Sequence, residues 1–73
     1  MDVIVIPTLE GFLIDVKNAT PPIEIFFQDS QLVYKGTNPV FLHKYDKSYN
    51  TVDVYYKVKD SKGEEVRTVP GTP

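Results

Sequence analysis

The sequence predicts an all-β fold, a small antiparallel β-sandwich of about six or seven short strands. Six prolines and four glycines interrupt the 73 residues. They leave segments of about six to ten residues, the length of one strand and its turn. In several segments apolar side chains alternate with polar ones, which is the period of a half-buried strand. A closed barrel of five strands is the alternative arrangement.

Two strands are expected near the start of the chain. Residues Val3–Ile6 form a β-branched run, and β-branched residues favour strands. After Gly11, the apolar side chains of Phe12, Ile14 and Val16 recur at every second position, as they do in a strand that buries one face. The run Val3–Ile6 could also serve as a sheet edge that pairs with another chain, although pairing within its own sheet is the stronger expectation.

A hairpin is predicted over residues 23–35. Two prolines precede the apolar segment 23–28, and Asp29 and Ser30 separate it from the second apolar segment, 31–35. A two-residue turn at Asp29 and Ser30 brings apolar side chains opposite one another on both faces. The predicted cross-strand pairs are Phe27 with Leu32, Ile25 with Tyr34, and Phe26 with Val33.

The clearest hairpin is predicted over residues 51–69. Its apolar residues Val52, Val54, Tyr56 and Val58 occupy every second position, so they are expected to be buried and Tyr55 to be exposed. A three-residue loop, Ser61-Lys62-Gly63, with Gly63 in the left-handed conformation, closes the hairpin. The predicted cross-strand pairs are Val58 with Val66 and Lys59 with Glu65.

Residues 36–50 leave two alternatives open. Val40 to Tyr45 is a short strand or an irregular crossover, or Asn38 and Pro39 begin one helical turn that stacks Phe41 on Tyr45. The strand or crossover is the preferred alternative. The whole of residues 1–69 is expected to form one domain, followed by a flexible tail at residues 70–73.

The segment from Tyr49 to Val69 resembles a hairpin of a known family. It reads Tyr-Asn-Thr-Val-Asp-Val-Tyr-Tyr-Lys-Val-Lys-Asp-Ser-Lys-Gly-Glu-Glu-Val-Arg-Thr-Val and looks like the final hairpin of a fibronectin type III or immunoglobulin-like sandwich. Those domains usually have about 90 to 100 residues and often a core tryptophan, whereas this chain has 73 residues and no tryptophan. The resemblance implies a compact or truncated sandwich and no particular function.

The composition excludes several kinds of site. The chain has no cysteine and one histidine, His43, so disulfides, thiolate zinc sites and cysteine nucleophiles are absent. No serine lies in a Gly-x-Ser-x-Gly motif, and no calcium loop or phosphate-binding loop is present. We expect His43 to be a half-exposed strand or loop residue, and the protein not to be an enzyme, with no cofactor, metal or small-molecule substrate.

The sequence also bears on location. No stretch reaches the roughly 18 apolar residues of a membrane-spanning helix, and the first residues lack a basic leader. A soluble chain without a signal peptide is therefore expected. The lack of cysteine is compatible with a reducing compartment or with a virion.

An aromatic and basic set of residues is the candidate interaction surface. Its members are Tyr55, Lys57, Lys59, Tyr45, Tyr49 and Phe41. Tyrosine offers a large amphipathic contact area at low entropic cost. The set predicts a protein-protein interaction or structural module that binds a protein partner or itself. It would be an accessory component of a larger assembly such as a virion or a surface complex. Tyr55 is the first candidate for a contact residue.

Single-stranded nucleic acid is the alternative partner. Small barrels of the OB type bind it by stacking bases on aromatic side chains beside cations, and a barrel of the OB or SH3 type is the alternative fold. The isoelectric point near 5.1 and the net charge of −2 count against this partner, because a polyanion normally attracts a clear basic excess.

Overall fold

The computed structural model of the protein describes residues 1–46 and 54–70. These residues form two antiparallel sheets and no helix. The strands in chain order are β1 (Asp2–Pro7), β2 (Gly11–Lys17), β3 (Ile23–Phe27), β4 (Gln31–Gly36), β5 (Val40–Lys44), β6 (Tyr56–Lys59) and β7 (Glu65–Thr68). One sheet has the order β1-β2-β5 and the other β4-β3-β6-β7. The predicted all-β sandwich is confirmed, and the five-stranded barrel is wrong.

The position of β4 refines the expected architecture. Strand β4 pairs with β3 and lies at the edge of the four-stranded sheet. In an immunoglobulin constant domain the fourth strand belongs to the sheet of the first, second and fifth strands. The strand order of this sandwich therefore differs from that of an immunoglobulin constant domain, and architecture alone does not indicate a function.

Strand β2 carries the centre of the three-stranded sheet. Its residues Phe12, Ile14 and Val16 are buried, as the alternation predicts. Gly11, which begins the strand, has a φ of 152°. A side chain there would collide with the backbone carbonyl of His43, so only glycine permits this close approach of β2 and β5.

The hairpin of β3 and β4 differs from the prediction in its register. Ile25 pairs with Tyr34 as predicted, but Phe26 pairs with Leu32 and Phe27 with Gln31, because the register shifts after Ile25. The turn lies one residue earlier than expected: Gln28 and Asp29 both have positive φ, as a type I′ turn requires. Because of this shift, Leu32 lies on the same outward side of the sheet as Phe26 and is exposed to solvent. Val33 has no partner in the ladder and forms a bulge.

The hairpin of β6 and β7 has the predicted register. Val58 pairs with Val66 and Lys59 with Glu65, and Gly63 has a φ of 81°. Tyr56 and Val58 are fully buried, and Tyr55 is half-buried rather than fully exposed. Residues 51–53 of the predicted strand, with Val52, lie outside the described residues.

The segment after β4 continues as a strand. The backbone of β5 pairs with β2 from Val40 to Lys44, so the strand alternative for residues 36–50 is confirmed over Val40–Lys44 and the helical turn is wrong. Asn38 opens the strand, since its Oδ1 accepts the backbone N–H of Val40 at 3.0 Å. Residues 47–50, and residues 71–73 of the predicted tail, lie outside the described residues.

The core between the sheets is aliphatic at one end and aromatic at the other. Its buried apolar residues are Phe12, Ile14, Val16, Ile23, Ile25, Phe27, Val54, Tyr56 and Val58. In the aromatic part, the Tyr56 ring lies 5.9 Å from Phe12 and 5.3 Å from Phe27. The Tyr56 hydroxyl is hydrogen-bonded to Nδ1 of His43 at 2.5 Å. Strand β5 belongs to one sheet and β6 to the other, so this bond joins the two sheets.

The expectation of a half-exposed His43 is wrong. His43 is only 9% exposed, and its ring packs 4.9 Å from that of Phe27. Burial lowers the pKa of the His43 imidazole below its ordinary value, because the charged form loses hydration. Burial, followed by the nearby Tyr45, raises the pKa of Tyr56, so the phenol keeps its proton.

Asp60 is a buried carboxylate at the end of β6. Its Oδ1 accepts the backbone N–H groups of Lys62 at 3.0 Å and Glu64 at 3.1 Å, and its Oδ2 accepts that of Thr20 at 3.2 Å. Burial alone would raise its pKa, but the hydrogen bonds from Thr20, Glu64 and Lys62 together lower the pKa below its ordinary value. Asp60 thereby fixes the β6–β7 loop to the connection between β2 and β3.

The lowered pKa of His43 predicts a loss of stability in mild acid. The unfolded chain takes up a proton near pH 6.5, whereas the folded protein does so only at lower pH. The free energy of unfolding should therefore fall with pH below about 6.5, by at most about 1.4 kcal/mol per pH unit. Urea titrations between pH 7.5 and 5 should show this slope in the parent and a flatter one in His43→Gln. Equal slopes would mean that His43 does not titrate differently on unfolding.

The role of Asp60 predicts that Asp60→Ala lowers the thermal midpoint by several degrees, because backbone donors lose their acceptor. Glu65→Ala is the matched control, since it removes an exposed carboxylate from the same hairpin and should change the midpoint little. Thermal unfolding monitored by circular dichroism at pH 7 measures both. An Asp60→Ala midpoint equal to that of the control would contradict the structural role.

Candidate functional site

The two sheets present outward faces of different chemistry. The outward side of the three-stranded sheet, called here the aliphatic face, consists of Ile4, Ile6, Leu13, Val40 and Leu42. Cross-strand pairing places Leu13 between Ile6 and Leu42, and Asp15 between Ile4 and Val40. Ile4, Ile6 and Val40 expose 44%, 43% and 43% of their surface, while Leu13 and Leu42 are half-buried. The five side chains form one contiguous apolar patch.

The aliphatic face departs from the usual pattern of an antiparallel sheet. Such sheets commonly bury one face and present polar side chains on the other. Large contiguous apolar patches are uncommon on the surfaces of monomeric soluble proteins. The patch extends toward the tip of the β1–β2 hairpin, where Leu9 is fully exposed. The Thr8 hydroxyl fixes this tip by accepting the N–H groups of Glu10 and Gly11.

Asp15 is the one charged residue in the middle of the aliphatic face. Its cross-strand neighbours, Ile4 and Val40, are both aliphatic. Other charges lie at the margins of the sheet, where Asp2 pairs with Lys17 and Lys44 pairs with Gly11. A carboxylate surrounded by aliphatic side chains gains most from a cation when the patch is covered, because covering the patch removes water.

The outward side of the four-stranded sheet is the charged face. One row across its strands consists of Lys35, Glu24, Lys59 and Glu65. Positive and negative side chains alternate along this row, so each charge lies next to an opposite one. Nearly equal numbers of charges of both signs make this face an ordinary solvated surface.

The remaining cations on the charged face contact aromatic rings. Lys57 Nζ lies 4.8 Å from the centre of the Phe26 ring. The Arg67 guanidinium lies 5.9 Å from the centre of the Tyr55 ring and forms an ion pair with Asp29 at 2.9 Å. These contacts are internal cation–π and ionic interactions. Lys57 and Arg67, the cations that a polyanion would have to bind, are therefore already engaged within the protein.

The structure does not bring the six predicted interaction residues onto one surface. Tyr55, Lys57 and Lys59 lie on the charged face. Phe41 and Tyr45 instead pack against the core, where the Phe41 ring stacks 4.8 Å from Tyr34 and the Tyr45 ring lies 5.0 Å from Phe27. Tyr49 lies outside the described residues.

The sequence-based search missed the aliphatic face, although the sequence contains a signal for it. Residues Val3–Ile6 are apolar at every position, and Leu13 interrupts the alternation of β2. Such runs predict strands that are covered on both faces. In the structure the inner sides of these strands are packed, while the outer sides carry the aliphatic face.

Within the described residues, no cluster of three or more potential metal ligands occurs. No helix of the described part is long and apolar enough to cross a membrane. The buried His43 is enclosed by aromatic rings, namely those of Phe27, Tyr45 and Tyr56. The His43–Tyr56 pair therefore acts as a packing and hydrogen-bonding unit in the core.

Comparison with known proteins gives no relative for this chain. No family model, no curated protein and no solved structure matches it.

Proposed function

We propose that the protein is a non-catalytic protein-binding module, an accessory component of a larger assembly, and that the aliphatic face is its contact surface. The observation that carries the proposal is the contiguous patch of Ile4, Ile6, Leu13, Val40 and Leu42 on the outside of the three-stranded sheet. Interaction sites differ from the rest of a protein surface by such apolar centres with polar margins.

The partner has a specific chemistry. It presents an apolar surface with one lysine or arginine placed to meet Asp15. When the face is covered, a carboxylate without a cation would lie buried and unpaired, which is strongly destabilising. An arginine suits this position because its flat guanidinium binds a carboxylate through two hydrogen bonds.

The exposed side chains supply the affinity. Fully burying a large aliphatic side chain contributes about 1.5–3 kcal/mol. Ile4, Ile6 and Val40 each still expose about two-fifths of their surface, so covering each one contributes roughly 1 kcal/mol. Leu9 is fully exposed and offers the largest single gain, roughly 2 kcal/mol. We expect Leu9 to insert into a pocket of the partner.

Single-stranded nucleic acid has less support as the partner. The cations of the charged face alternate with carboxylates or lie against aromatic rings. Among the described residues, the rings of Phe41 and Tyr45 face the core, where they cannot stack on bases.

The proposal predicts that Leu42→Lys and Asp15→Lys each weaken partner binding by at least about tenfold. The first places a charge in the apolar centre, and the second reverses the charge that the partner must meet. The partner would be captured from an extract of the native host and identified, and its binding to each variant would then be measured by titration. Lys57→Glu is the matched control because it changes a charge on the opposite face, and it should bind like the parent.

Two outcomes would contradict the proposal. One is a partner that binds both aliphatic-face variants as tightly as the parent. The other is salt-sensitive binding of a fluorescent single-stranded oligonucleotide that Tyr55→Ala and Lys57→Ala abolish, since this result would favour the nucleic-acid alternative. Circular dichroism of each variant must show the β-sheet spectrum of the parent.

A further inference from the structure

The edge strand β1 differs from the other sheet edges. Its segment Val3–Ile6 contains no charged side chain, no proline and no bulge. The other edges carry the features that discourage pairing with another chain. Strand β4 has a register shift, β5 has a side chain bonded to its first N–H, and β7 is short and bears Glu65 and Arg67 on its outer face.

The hydrogen-bonding direction of β1 follows from its pairing with β2. Thr8 donates its N–H to the carbonyl of Gly11, and these two residues continue by one step the register that ends with Pro7 opposite Phe12. In an antiparallel ladder every second residue bonds to the neighbouring strand. Ile4 and Ile6 therefore bond to β2, whereas the N–H and carbonyl groups of Val3 and Val5 point away from the sheet.

We propose that a second copy of this chain pairs with β1, so that two β1 strands form an antiparallel ladder centred on Ile4. Val3 of each copy then exchanges both backbone hydrogen bonds with Val5 of the other, and Ile4 lies opposite Ile4 of the second copy. Addition of a strand to an exposed sheet edge is an established mode of recognition. A two-fold axis makes the same edge serve both copies.

The chain favours this register over its neighbours. A ladder centred on Val5 would set Val3 opposite Pro7, which has no N–H to donate. A ladder centred on Val3 would set Val5 opposite Met1, whose amino group is already bonded to Glu64 at 3.2 Å. The register centred on Ile4 uses all the outward groups of Val3 and Val5.

The charges near the edge also suit a second copy. In this register Asp2 lies opposite Ile6, so no like charges meet along β1. The pairing also joins the aliphatic faces of the two copies into one surface.

A pair of variants at the two-fold axis tests the proposal. Ile4→Lys and Ile4→Glu each place like charges opposite one another and should weaken the dimer roughly five- to tenfold, whereas an equimolar mixture of both should form a mixed dimer. Ile4 is exposed, so both variants should fold. Mass would be measured by light scattering for the parent, each variant and the mixture, up to about 1 mM, because a short edge gives a weak interface.

Amide exchange gives a second readout that does not depend on a substitution. The N–H groups of Val3 and Val5 should exchange more slowly as the parent concentration rises, while those of Ile4 and Ile6, bonded within the sheet, should not change. A parent that stays monomeric at about 1 mM, or a dimer that Ile4→Lys and Ile4→Glu leave intact, would overturn the proposal. A monomeric parent whose partner binding is lost in Leu42→Lys would overturn it while leaving the proposed function standing.

Discussion

The buried hydroxyl of Tyr56 constrains how the two sheets can be stacked. A phenol enclosed between sheets must find a hydrogen-bond partner, because an unsatisfied buried polar group costs about 1–3 kcal/mol. Only His43, on the opposite sheet, supplies this partner in the described structure. Burial of apolar surface has no preferred direction, whereas a hydrogen bond requires its partner at a set distance and angle. This bond therefore selects one alignment of β5 over β6, and the positions of the outer faces follow from it.

The two outer faces of the protein have different chemistry. On the outward side of β6, lysine and glutamate side chains alternate across the strands, so the charges of the charged face neutralise one another. Behind β2 the aliphatic face has one carboxylate, Asp15, among apolar side chains. Both faces belong to strands that alternate regularly on their inner sides. The difference between them is therefore a property of the outward residues and not of the fold.

The sequence predicted most of the fold because its inner rows follow a two-residue period and its turns contain distinctive residues. The glycine at position 63 correctly predicted the loop and the register of the last hairpin. The β3–β4 hairpin could not be placed as well, because Gln28 and Asp29 adopt positive φ without a glycine to indicate it. The candidate site was harder to predict. Periodicity shows which side chains share a face, but it does not show that Phe41 turns toward the core while Leu42 turns outward.

Asp60 has a consequence for how the molecule comes apart. Its carboxylate accepts the backbone N–H groups of Lys62 and Glu64 in the β6–β7 loop. It also accepts the backbone N–H of Thr20, which lies forty positions away along the chain. Thr20 in turn accepts the N–H of Ser61 at 2.9 Å. Neither connection can open without releasing the other, so two loops remote along the chain share a single local unfolding event. A protease would therefore find both loops folded or both unfolded. Its rate of cleavage in either loop would follow this shared unfolding and not the surface exposure of that loop alone.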